Sequence, residues 1–196
     1  MTVRGAEKRI SDEFHVYAAV DMTPEKVAAR RQARELGLAV IDPAPLYTGR
    51  AESRNEFVKR LVEAGYSMEG ADLRGAILSG CRMEGGNFRN ANLENARLNG
   101  VRAAGCVFDG ARISRTTIGG ADLRLASFVG AQIVATDFDK STLTGASFAS
   151  ADLNRCDFFK THGANLDMRF ASIVDSNFDR SSLSQIDLRG ARVSNC

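Results

Sequence analysis

From Ala71 onward, small, polar and large apolar positions recur with a period of five. Ala71-Asp72-Leu73-Arg74-Gly75 is followed by Ala76-Ile77-Leu78-Ser79-Gly80, and the register holds to Asn195, giving 25 consecutive blocks. The first position is Ala, Cys, Gly, Ser, Thr or Val in 23 of the 25 blocks, the exceptions being Leu166 and Ile186. The third is Leu, Ile, Val, Met or Phe in 23, the exceptions being Ala103 and Gly163. The fifth is Gly in 10. A helical period cannot keep three positions apart for this long, so the pattern predicts a short-period solenoid.

In extended backbone, positions one and three point to the same side. One small and one large residue fill a narrow interior without overpacking it. Positions two, four and five carry nearly all the charge and face water. Gly at position five suits a corner with positive φ. Phe sets the number of blocks per turn: Phe88, Phe108, Phe128 and Phe148 are 20 residues apart, and Phe138, Phe158 and Phe178 repeat that interval on a second track. Four blocks per turn predict a square coil in which residues 20 apart stack, with interior columns headed by Leu73, Leu78, Met83 and Phe88. Seven of the 11 Phe lie in these columns, and each buried large apolar side chain contributes about 1.5–3 kcal/mol. The vacancy at Gly163 is expected to be filled by Leu166, and that at Ala103 by Val101.

The first third reads differently. Residues 1–50 form an N-terminal extension, with short strands over Phe14–Val20 and Leu38–Ile41 and a helix near 24–36 started by Thr23-Pro24-Glu25 and stopped by Gly37. Residues 51–65 form a capping helix: Ser53-Arg54-Asn55-Glu56 is a capping box, and Phe57, Val58, Leu61 and Val62 follow at helical spacing. Placed before the coil, at 66–196, this helix covers the first apolar turn, which a solenoid requires.

Ala71-Asp72-Leu73, Ala91-Asn92-Leu93, Ala121-Asp122-Leu123, Ala151-Asp152-Leu153 and Cys156-Asp157-Phe158 resemble the repeat of the pentapeptide-repeat family. The resemblance covers 125 of the 196 residues. It implies an all-β solenoid, a right-handed quadrilateral β-helix with a small N-terminal α/β or helical extension and capping helix. It also implies a non-enzymatic protein, since few family members are enzymes. Some relatives bind gyrase as DNA mimics, and others are bacterial effectors.

Charge changes this picture. The chain carries 26 Lys+Arg and 24 Asp+Glu, which excludes a polybasic nucleic-acid binder. Residues 66–196 carry 15 Lys+Arg and 14 Asp+Glu, whereas imitation of DNA asks for a strongly negative surface. The cluster Lys26, Arg30, Arg31 and Arg34 reads as a solvated helix face. Asp137, Asp139, Asp157 and Asp179 form a candidate acidic strip beside Lys140, Lys160 and Arg180, an arrangement expected to neutralise itself.

Other chemistry is sparse. Cys81, Cys106 and Cys156 occupy first positions and read as small core residues in a reducing compartment, with Cys196 starting the next block. No Cys or His spacing matches a metal site, and neither His15 nor His162 has a nucleophile or carboxylate set by a motif, so no catalytic, metal or cofactor residue is assigned. No apolar run approaches the roughly 20 residues of a membrane helix, and the first residues lack a signal-peptide core. A cytoplasmic protein is expected.

The candidate partner surface is Val107, Val129 and Phe170, with Leu125 nearby and Phe159 on another face. The last turn, with Phe178, Leu183, Leu188 and Val193, is the candidate end-to-end interface of a homodimer. The function expected is a scaffold presenting a rigid rod to a protein partner. The alternative is a DNA-mimicking protein that binds gyrase or another topoisomerase.

Overall fold

The computed structural model describes residues 54–196. The elements expected within residues 1–53, with the Lys26–Arg34 cluster and His15, lie outside the described residues. Helix α1, Arg54–Glu63, opens the described chain. It ends in a Schellman motif: Gly65, at φ 78°, donates to the Val62 carbonyl at 3.0 Å, and Tyr66 donates to Leu61 at 3.0 Å. Val58, Leu61 and Val62 are buried in the same core as the coil. Asn55 Oδ1 accepts the Ile77 N–H at 3.0 Å, which fixes the helix to the first turn.

The coil is the four-sided β-helix that the five-residue pattern predicts. All its ladders are parallel and join residues 20 apart: on the first face Asp72, Asn92, Arg112, Gln132, Asp152, Ser172 and Arg192 are successive rungs. Three-residue strands form where pairing is most regular. On the first face these are β1 (Arg112–Ser114), β2 (Gln132–Val134), β3 (Asp152–Asn154), β5 (Ser172–Val174) and β7 (Arg192–Ser194). On the third face they are β4 (His162–Ala164) and β6 (Ser182–Ser184). Each strand ahead of the last turn binds the turns before and after it, while β6 and β7 pair only with the turn before, so unpaired strand edge lies at the end of the rod and not along its long sides.

First and third positions line the interior. Phe88, Phe108, Phe128 and Phe148 stack at centroid distances of 5.1, 4.9 and 4.7 Å. Phe138, Phe158 and Phe178 stack at 4.8 and 4.7 Å. The two stacks meet edge-on, Phe138 lying 6.2 Å from Phe128 and 6.0 Å from Phe148, the second arrangement that aromatic quadrupoles favour. Leu166 is buried, and its Cδ1 lies 2.9 Å from where a Gly163 Cβ would stand, so it occupies that vacancy. Val101 and Ala103 are both buried.

Polar first positions also have a structural use. The Thr136 hydroxyl donates to the Ile113 carbonyl at 2.9 Å and Ser141 to Ile118 at 2.8 Å, each one turn back. Buried hydroxyls need such acceptors.

Candidate functional site

The outer surface is built from positions two, four and five. In nine of the 25 blocks a position-two Asp or Asn accepts the N–H of position four, among them Asp137 from Asp139 at 2.7 Å, Asp157 from Phe159 at 2.9 Å and Asn177 from Asp179 at 2.8 Å. These are Asx turns, in which a side chain satisfies an N–H left over by the corner. Where an Asp at position two is followed by Arg at position four, a second link forms. Asp72–Arg74, Asp122–Arg124, Asp167–Arg169 and Asp187–Arg189 are ion pairs at 2.6 to 2.8 Å. The Arg189 hydrogen bonds draw the Asp187 carboxyl down to about 2, and the Arg124 and Arg169 guanidiniums lower Asp122 and Asp167 in the same way.

The acidic strip is therefore occupied with its own backbone. Asp137 and Asp157 are ladder neighbours, and Asp157 also accepts from Asn177 Nδ2 at 3.0 Å. Lys140 pairs with Asp139. Lys160 and Arg180 depart from the expected neutralisation: they lie over the Phe159 ring, 4.9 and 5.7 Å from its centroid. The reason is that Phe159 stands where Asp139 and Asp179 stand in the neighbouring turns, and a cation above an aromatic face is attracted to it.

The candidate partner residues divide. Val107 and Phe159 are half-buried, Val129 is 39% exposed, and Leu125 and Phe170 are 71% and 68% exposed. Leu125 and Phe170 sit at corners with φ 59° and 61°, a region that disfavours side chains by roughly 1–2 kcal/mol. Each lies over a glycine one turn on: an added Cβ at Gly145 would stand 2.7 Å from Leu125 Cδ2, and one at Gly190 would stand 2.5 Å from Phe170 Cδ1. The two corners border opposite edges of the fourth face, the one bearing Val129. Val107 lies on this face between Asn87 and Ser127 in its ladder, which breaks an apolar strip. In the last turn Phe178 and Leu183 are half-buried, and Leu188 and Val193 are 44% and 53% exposed.

Cys81, Cys106 and Cys156 are buried free thiols and Cys196 is exposed. Desolvation pushes the Cys106 thiol up to about 12 and Cys156 to about 11. The Cys106 Sγ donates to the Met83 carbonyl at 2.7 Å, and Cys156 to Ile133 at 3.3 Å. His162 is exposed between Thr142 and Ser182 in its ladder. No group of three His, Cys, Asp or Glu side chains placed to hold a metal occurs among the described residues. No helix among them is long and apolar enough to cross a membrane.

The pentapeptide-repeat family profile matches residues 67–102, 87–124 and 126–167, in eight copies. The chain belongs to the pentapeptide-repeat family. Solved relatives include a pentapeptide repeat protein from the Arabidopsis thaliana thylakoid lumen, 24% identical over 48% of this chain and 62% of that one, with a TM-score of 0.40. The match thus spans less than two thirds of that relative. HetL, involved in heterocyst differentiation regulation in the cyanobacterium Nostoc, is 20% identical over 71% of this chain and 79% of its own, with a TM-score of 0.32. QnrB1, a plasmid-mediated fluoroquinolone resistance protein, is 17% identical over 63% and 80%, with a TM-score of 0.32. No curated protein matches the chain.

Proposed function

We propose that this pentapeptide-repeat protein is a non-enzymatic scaffold whose rigid rod presents its fourth face and corners to a protein partner. The observation that carries the reading is the pair Leu125 and Phe170. Both are largely exposed, both adopt the left-handed backbone that glycine accepts without cost, and they flank one face. Every corner of the coil takes this backbone, fifteen of them with a residue other than Gly, so what sets these two apart is a large apolar side chain held out in solvent on either edge of one face. Buried free thiols support a reducing, cytoplasmic setting. Pairing of two copies through the turn bearing Leu188 and Val193 belongs to the same proposal, with sedimentation velocity at micromolar concentration as its check.

The test is affinity capture from the native cell with the wild-type chain and a Leu125→Gly/Phe170→Gly variant. A partner held by the wild type and lost by the variant supports the proposal. Equal capture by both overturns this surface. Gyrase subunits among the captured proteins would favour the DNA-mimic reading, which ranks second because so many surface carboxylates are paired with arginine.

A further inference from the structure

On three faces of the rod, arginine at position four is neutralised within its own block: Asp72–Arg74, Asp122–Arg124, Asp167–Arg169 and Asp187–Arg189. The middle of the first face stands outside this pattern, as do Arg82, Arg97 and Arg102 at position two of other faces. Its arginines stand at positions two and five, Arg112, Arg115 and Arg155, where no Asp two residues earlier reaches them. Arg112 makes no ion pair among the described residues, and the Arg155 Nε donates only to Asn154 Oδ1, at 3.2 Å. Arg115 is held by Glu94 and by Asn95 Oδ1 at 3.1 Å. Between the Arg115 and Arg155 corners, which are two turns or about 9.6 Å apart, the corner residue is Ala135.

That small side chain opens a notch. The result is an open groove of about 460 Å³, lined by these three arginines, Glu94, Val134 and Ala135 among others. Three guanidiniums and one carboxylate leave it with a net charge near +2. It runs along the rod axis from the turn of Asn92 to the turn of Arg155, three turn spacings or about 14 Å.

We infer that this groove binds an extended acidic segment of a protein partner, with carboxylates meeting Arg112 and Arg155 across the Val134–Ala135 floor. The inference rests on the scaffold reading and assigns it a second surface. Two observations select the ligand. A guanidinium fork without a carboxylate partner is matched by an incoming carboxylate with two hydrogen bonds. The groove length fits four to five residues of extended chain at about 3.3 Å each, with carboxylates three residues apart about 10 Å from one another. Recognition has to come from side chains, because the sides of the coil offer no free strand edge for strand addition. Nucleic acid is disfavoured because it needs a track of cations to displace counterions, whereas Arg74, Arg89, Arg124, Arg169 and Arg189 outside this groove are each paired with a carboxylate.

The test is fluorescence anisotropy with the full chain at low ionic strength. One probe is a fluorescein-labelled nonapeptide with two aspartates three positions apart. Its diasparagine counterpart and a short DNA duplex are the others. Expected is saturable binding of the aspartate peptide, weakened about threefold or more by Arg112→Ala and by Arg155→Ala, and about tenfold by both together. Arg189→Ala on the fourth face should leave it unchanged. These variants fold: positions two and five face outward, and Ala135 already adopts φ 49° at the corner that Arg155 occupies one turn on. No binding, equal binding of the asparagine peptide, or equal affinity of the double variant overturns the inference. Tighter binding of DNA with the same arginine dependence replaces the peptide with nucleic acid and also overturns it. Because purified chain and synthetic probes suffice, failure here removes the groove and leaves the scaffold reading to the capture experiment.

Discussion

The ring of Phe128 lies 4.9 Å from that of Phe108 with 8° between their planes, although 20 residues separate them in the chain. This contact sets the pitch of the rod, since stacked rings and paired backbones share nearly the same spacing. Phe128 also touches Phe138 edge-on and Phe148 face-on. Phe128→Ala should cost about 3–5 kcal/mol and Phe128→Leu markedly less. Urea unfolding followed by far-UV circular dichroism measures both.

Gly163 and Leu166 are coupled. A Cβ at Gly163 meets Leu166 Cδ1 at 2.9 Å and the Leu143 carbonyl carbon at 3.1 Å, so Gly163→Ala should cost about 1–3 kcal/mol. Leu166→Ala should cost about 2–5 kcal/mol by opening a cavity. The double variant should lose less than the two losses added, because the new methyl enters space that Leu166 vacates. A denaturation cycle over the four proteins reads this coupling directly, and strict additivity would refute the shared cavity.

Asp157 serves its own block, accepting from the Phe159 N–H and from Asn177. Asp157→Asn keeps the carbonyl acceptor and should be nearly neutral, whereas Asp157→Ala should cost roughly 1 kcal/mol. If Asn and Ala are equally destabilising, the charge matters more than the turn. Thermal melts at neutral pH distinguish the two.

The thiols predict a labelling pattern. Native protein should react rapidly with Ellman's reagent at one thiol of four, Cys196, and at the other three only after unfolding. The raised Cys106 value has a definite sign. Folding favours the neutral thiol, so its contribution is complete below the ordinary value of 9.0 and is lost as pH rises toward about 12. The stability difference between wild type and Cys106→Ala should therefore shrink across that window, as measured by chemical denaturation at successive pH values.

Leu125 separates folding from binding. Leu125→Gly removes a left-handed penalty of roughly 1–2 kcal/mol but loosens the unfolded chain by about 0.5–1 kcal/mol. Its melting temperature should stay within a few degrees of the wild type, while partner capture falls. A large loss of stability would make Leu125 a folding residue, through its cover over Gly145.

The interior was legible in the sequence because geometry leaves it little choice. A first position holds something small, a third something large, and the Phe interval counts the sides. Leu166 opposite Gly163 was legible for the same reason, as an oversized residue beside an undersized one. The surface was read less completely. Apolar residues far apart in sequence mark a shared face, but whether Val107 is exposed depends on neighbours one turn away. Lys160 and Arg180 looked like partners for Asp139-type residues, and only the stacking of turns shows that Phe159 lies beneath them. No residue of the first face stands out in the sequence. Arginine at position two or five rather than four is shared with Arg82, Arg97, Arg102 and Arg180 on other faces, and only the stacking of turns gathers Arg112, Arg115 and Arg155 around Ala135.

The 20-residue turn also constrains how such a chain can change length. Inserting or removing one whole turn shifts everything beyond it by about 4.8 Å along the axis and leaves each side chain facing its former direction. A change of five residues keeps the core satisfied but swings the remainder of the rod by a quarter revolution. The two corners bearing Leu125 and Phe170 would then border different sides, so an indel harmless to folding could abolish recognition outright.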